Sequence, residues 1–156
     1  MENNTCCFIG HRTINETEEL KLNLIKIIEN LITEKSVDTF LFGSKSRFDD
    51  LCHRTVTELK KEYTHIKRIY VRAEYPYVDG SYIKYLLEFY EDTYYPEKLI
   101  GSGRAAYVER NRELIDNSRF CIFYYDEEHA PTNRKSGTKI AFDYAAKKGK
   151  QIINVK

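Results

Sequence analysis

Tryptophan is absent from this chain of 156 residues, and no apolar run approaches the length needed to cross a bilayer. The missing indole points to no function by itself, whereas the missing run excludes a membrane-spanning helix. The opening Met1-Glu2-Asn3-Asn4 is polar and leads straight into a strand-like segment, so a secretory signal is not expected. Four cysteines, Cys6, Cys7, Cys52 and Cys121, show no C-x-x-C spacing. Each lies in an apolar segment, where a reduced thiol acts as a small hydrophobe, so a metal site is not expected and a reducing cytoplasm is. An excess of charge of either sign is also lacking: 25 basic residues face 24 acidic ones, for a net charge of +1. No whole-protein field then recommends nucleic acid or an anionic membrane as partner, although a local basic patch is compatible with that balance. Internal repeats, low-complexity segments and domain boundaries are missing too, and the length suits a single domain over 1–156.

What the sequence does have is 42% hydrophobic and 31% charged residues, ordinary for a globular chain. Five β-rich runs stand out: Thr5–Ile9, Thr39–Phe42, Arg68–Val71, Phe120–Tyr124 and Gln151–Val155. They are nearly continuous apolar stretches, the pattern of strands covered on both faces. Helical periodicity fills the gaps. Leu20, Leu24, Ile27, Ile28 and Leu31 share one face, with Asn15 and Glu18 spaced as a capping box. Phe48, Leu51, Cys52, Leu59 and Tyr63 form a second stripe opening at Ser46 and Asp49. Tyr82, Ile83, Leu86, Leu87 and Tyr90 suggest a third helix, Arg104–Asn117 a fourth, and a fifth runs from Ser136 to Gly149. Alternating strands and helices predict an α/β fold: a Rossmann-like, doubly wound, mainly parallel five-stranded sheet with helices on both faces.

In such a sheet, ligands bind beyond the carboxyl ends of the strands. The residues there are Gly10-His11-Arg12, Gly43-Ser44-Lys45-Ser46 and, before the last helix, Ser136-Gly137-Thr138. Glycine lets a ligand approach the backbone, hydroxyls and amides donate hydrogen bonds, and helix N-termini favour anions. Arg12 and Lys45 can add charge-assisted contacts, and His11 can donate to a phosphate or a base. Taken singly, each loop is explained by tight strand exits and ordinary helix capping; taken as a set, they point to a phosphate-bearing, nucleotide-like ligand. Two apparent motifs fail. Gly43-Ser44-Lys45-Ser46 lacks the upstream glycine and the glycine–lysine adjacency of a P-loop. Gly101-Ser102-Gly103-Arg104-Ala105-Ala106 matches the dinucleotide pattern literally, but no predicted strand precedes it.

Several of these segments resemble the SLOG superfamily, especially its short stand-alone bacterial and phage members. They are Cys6-Cys7-Phe8-Ile9-Gly10-His11-Arg12, Phe42-Gly43-Ser44-Lys45-Ser46-Arg47-Phe48-Asp49, Tyr107-Val108-Glu109-Arg110-Asn111 and Ser136-Gly137-Thr138, in the family's order. The resemblance implies a Rossmann-like pocket for nucleotides or nucleotide-derived signals such as ADP-ribose-type molecules, and commonly a homo-oligomer. It places Arg110 and Asn111 at the ligand, with Phe48 or a tyrosine stacking on a base. The lonely-guy branch hydrolyses the N-glycosidic bond of nucleoside monophosphates with an arginine, matched by Arg110, and a glutamate. The glutamate position here is Ala141, and Asp143 points about 200° away around the helix at ~100° per residue. One general acid or base contributes typically about 10²–10⁴-fold. The expectation is therefore a sensing or sequestering module that needs no cofactor. The alternative is a hydrolase with a rearranged carboxylate, for which Glu74 and Asp49 are the candidates. A third possibility is an interaction subunit that uses the aromatic segment from Tyr75 to Tyr95 as a lid or dimer surface.

Overall fold

A computed structural model describes residues 2–73, 79–97, 99, 101–129 and 136–156. After a short 3-10 turn at Glu2–Asn4, the elements alternate: β1 (Thr5–Gly10), α1 (Glu18–Glu34), β2 (Thr39–Phe42), α2 (Arg47–Lys60), β3 (Lys67–Val71), α3 (Gly80–Leu87), β4 (Asp92–Tyr94), α4 (Arg104–Asp116), β5 (Phe120–Tyr124), α5 (Gly137–Lys147) and β6 (Gln151–Asn154). All strand pairings are parallel, in the order β4-β3-β2-β1-β5-β6.

The period-2 geometry of a strand explains why the apolar runs are continuous. Phe8, Phe40, Phe42, Tyr70, Phe120 and Ile122 point to one face, where they meet Leu24, Ile28 and Leu31 of α1, Phe48, Leu51 and Val56 of α2, and Leu86 of α3. The intervening Cys7, Ile9, Leu41, Ile69, Val71, Cys121 and Phe123 point to the other face, against Leu114 and Ile115 of α4 and Ala141 and Ala145 of α5. Phe8 anchors the first layer, stacked on Phe40 at 5.9 Å and on Phe42 at 5.0 Å between centroids. All four cysteines are buried and unbridged.

The sheet has six strands rather than five. Asp92–Tyr94 adds an edge strand, pairing Ile69 with Asp92 and Val71 with Tyr94. Three residues with a polar start carry no apolar run, because an edge strand covered on one side does not require one. The start of α1 also differs from expectation. Thr17, not Asn15, is its cap, its hydroxyl accepting from the Leu20 amide at 3.1 Å. The backbone N–H of Asn15 donates to the Tyr124 hydroxyl at 3.4 Å.

Chain order fixes where a ligand site can form. From β1 the chain moves outward through β2, β3 and β4 with α1, α2 and α3 on one face, then returns by α4 to place β5 on the other side of β1. The strand order therefore reverses between β1 and β5, where loops diverge to opposite faces and leave a crevice. Among the described residues, no helix is long and apolar enough to cross a membrane.

Candidate functional site

A cleft of about 840 Å³ opens at the carboxyl ends of the strands, within the size range of small-molecule sites. The β1–α1 loop contributes Gly10, His11 and Arg12; the β2–α2 loop contributes Gly43, Ser44, Lys45 and Ser46. Helix α4 adds Gly103, Arg104, Tyr107, Arg110 and Asn111, and the start of α5 adds Ser136, Gly137 and Thr138. Loops far apart in sequence thus meet around one space.

Local chemistry sets each wall. Ser46 caps α2, its hydroxyl accepting from the Asp49 amide at 3.1 Å and from the Ser44 hydroxyl at 3.0 Å. Ser136 caps α5 in the same way, accepting from the Lys139 amide at 3.0 Å. Gly103, at φ +57°, opens α4 with no side-chain cap. The residues at the N-termini of three helices therefore line the cleft, each carrying the partial positive charge of a helix start.

The side of Gly43 is taken by Arg110. A Cβ added to Gly43 would lie 2.5 Å from Arg110 Cδ and 2.8 Å from Nε, so glycine is what lets this arginine cross behind the loop. Arg110 is only 4% exposed, yet it lines the cleft, its Nε donating to Asn111 Oδ1 at 3.1 Å. Arg12, Lys45, Arg104 and Arg110 supply cationic lining, and no aspartate or glutamate lines the cleft among the described residues. In a chain of net charge +1, that is a marked local segregation of charge.

His11 stands at the edge of this cleft and of a second, polar groove beside the start of α1. Its Nε2 accepts from the Asp126 amide at 2.8 Å, which requires the neutral ring with the proton on Nδ1. Burial likewise lowers its pKa from the usual value.

Asp49 lies under the cleft floor rather than on it. It is 4% exposed, and its Oδ2 accepts from the amides of Gly43 at 3.3 Å and Ser44 at 2.9 Å, bracing the β2–α2 loop from below. Burial raises its pKa to about 6, against the opposing pull of those two amides and of Arg110. Its Oδ1 has no hydrogen-bond partner.

The other sequence expectations are placed as follows. Phe48 is fully buried (0% exposed) beneath Gly10, where an added Cβ would lie 2.4 Å from its ring, and it packs on Tyr124 at 5.7 Å. A base-stacking role for Phe48 is corrected to core packing: it is on the apolar face of α2, which turns it into the sheet. Glu74 lies outside the described residues. Ala141 is buried against the sheet, and Asp143 faces outward, paired with Lys139 at 3.5 Å. Gly103, Arg104 and Tyr107 line the cleft although the sequence reading assigned none of them a binding role. The literal glycine pattern at Gly101–Ala106 marked two of them, but the strand preceding it is the short β4, which is invisible in the sequence. No group of histidine, cysteine, aspartate and glutamate suited to hold a metal ion occurs among the described residues. Compared with known proteins, the chain matches no family model and no curated protein.

Proposed function

We propose that this chain binds a nucleotide or nucleotide-derived small molecule, an ADP-ribose-type signal among the candidates, as a sensing or sequestering module. The observation that carries the reading is the lining of the switch-point cleft: four cationic side chains, three helix N-termini and no described carboxylate. An anion entering it meets helix starts, hydroxyls and cationic side chains together, a combination that recognises phosphate. A phosphate alone would not need a cleft of about 840 Å³, so a larger phosphorylated ligand fits the space better. The resemblance to SLOG proteins points the same way, and four buried free thiols suit the reducing cytoplasm in which we place the protein.

Capture is favoured over turnover by the surroundings of the carboxylates. Ala141 stands where the lonely-guy enzymes carry their glutamate, and Asp49 is committed to the amides of Gly43 and Ser44. Thermal denaturation against nucleoside mono- and diphosphates, cyclic nucleotides and ADP-ribose tests the reading. At a concentration about a hundred-fold above Kd, a true ligand should raise Tm by roughly 5–10 °C. Arg110→Ala, checked for retained fold by circular dichroism, should abolish the shift, and chromatography of the incubated mixtures should show no free base. Absence of stabilisation by every compound in the panel would exclude the proposal.

A further inference from the structure

A nucleotide needs a site for its base as well as for its phosphates, and of the stacking residues expected from sequence, a tyrosine or Phe48, Phe48 is sealed in the core. Among the described residues, the phenyl and phenol rings lining the cleft belong to Phe8, Tyr70 and Tyr107. Phe8 and Tyr70 are buried between sheet and helices, whereas Tyr107 is 50% exposed. A ring half open to water on the wall of a ligand cleft keeps a surface on which another flat ring can lie.

We infer that Tyr107 is the base-stacking residue of this site, and that the ligand class is therefore a nucleotide bearing its aromatic base rather than a bare sugar phosphate. The inference rests on the nucleotide-binding proposal and adds an orientation to it. Tyr107 and Arg110 are three residues apart on α4, so they lie on adjacent turns of one helix face. The Arg110 guanidinium carbon lies 5.6 Å from the Tyr107 ring centroid. The Cδ, Nε and Cζ of the same side chain all lie beside Gly43, 2.5, 2.8 and 3.2 Å from where its Cβ would be. One arginine thus reaches from the glycine loop, with its α2 N-terminus, to the tyrosine ring. Phosphates at the loop and a base on the ring would then lie on either side of that guanidinium. The guanidinium beneath the ring also adds cation–π attraction to whichever aromatic group completes the stack.

Among the described residues, the other exposed rings do not meet this requirement. Tyr85 and Phe89 are exposed but pack on each other at 5.2 Å near the end of α3, and neither lines the cleft.

Titration calorimetry with two probes tests the assignment: ADP, which carries base, sugar and phosphates, and ribose phosphate, which lacks the base. Tyr107→Ala should weaken ADP binding by roughly ten-fold or more, the size of one base–aromatic stack, and leave ribose phosphate unchanged. Tyr107→Phe and Tyr107→Trp should restore ADP binding, because the ring and not the hydroxyl is used. Undiminished ADP binding by Tyr107→Ala would overturn the inference while leaving the nucleotide reading intact. Equal losses for both probes would also overturn it, since Tyr107 would then act only by holding Arg110. If neither probe bound the unaltered protein, this assignment would fall, while the parent proposal would be decided by the wider panel of nucleotides and ADP-ribose.

Discussion

A carboxylate buried in an apolar layer loses most of its hydration, and Asp49 recovers only part of it. The amides of Gly43 and Ser44 both reach Oδ2, while Oδ1 has no partner. The folded protein consequently holds the Asp49 proton up to about pH 6, whereas the unfolded chain releases it near the ordinary 3.8. Between these values the folded state binds more protons, so this group's contribution to stability falls as pH rises and levels off above about 6. The span from 3.8 to about 6 corresponds to roughly 3 kcal/mol. Asp49→Asn has no proton to lose. Its stability relative to the unaltered protein should therefore improve from pH 4 to pH 7, by an amount on the order of that figure. Urea unfolding at several pH values measures the difference, and a gap that does not change with pH would mean that the carboxyl ionises normally in the fold. Asp49 also shows a limit of sequence reading at the residue scale. Its position at a helix start is visible, but whether its oxygens face the ligand or the underside of the loop depends on how α2 sits on β1. The same ambiguity separates Phe48 from Tyr107: both are aromatic residues in segments that contribute to the site, and only packing decides which ring is sealed and which is open.

Between elements, the closest engagement at the site is that of β1 with α2. Gly10 ends the strand, and the Cβ it lacks would lie 2.4, 2.6 and 2.7 Å from Cδ2, Cγ and Cβ of Phe48. Because the clash reaches the Cβ of Phe48, a change of rotamer alone cannot relieve it, and the helix itself would have to move. Gly10→Ala should cost about 1–3 kcal/mol, the usual range for overpacking a core. In a chain of this size, that is a loss of roughly 3–10 °C in Tm, readable by calorimetry. An unchanged Tm would show that α2 is free to shift. The elements themselves were largely legible because a strand buried on both faces must be apolar throughout, as Phe120–Tyr124 is. Edge strands escape that requirement, which is why Asp92–Tyr94 could not be read. The cap of α1 differs from the sequence reading: Asn15 has a capping side chain, but the helix starts after Thr17, whose hydroxyl accepts from the Leu20 amide, while the backbone N–H of Asn15 donates to Tyr124.

Across the whole molecule, topology made the loops after β1 and β2 and before α5 legible as one site, since every parallel strand delivers its carboxyl end to the same edge. From α4, Arg110 and Asn111 were legible through the family resemblance, but its first turn was harder to see. Gly103, Arg104 and Tyr107 reach the cleft only because the chain returns across the sheet from β4 to β5, a step that depends on an edge strand hidden in the sequence. The same topology segregates charge. Basic and acidic residues nearly cancel over the chain, 25 against 24, yet Arg12, Lys45, Arg104 and Arg110 gather at one edge with no described carboxylate among them. A long-range field steering the whole protein is absent, so attraction of an anion must come from this short-range cluster and fade as ions screen it. The Debye length falls from about 10 Å at 0.1 M salt to about 3 Å at 1 M. The affinity for ADP should therefore drop several-fold or more across that range in potassium chloride, while Tm of the ligand-free protein shifts little, because the global charge is already balanced. Calorimetric titration at graded salt distinguishes this from an apolar site: affinity that held steady as salt rose would mean that hydrophobic contact, rather than the basic lining, captures the ligand.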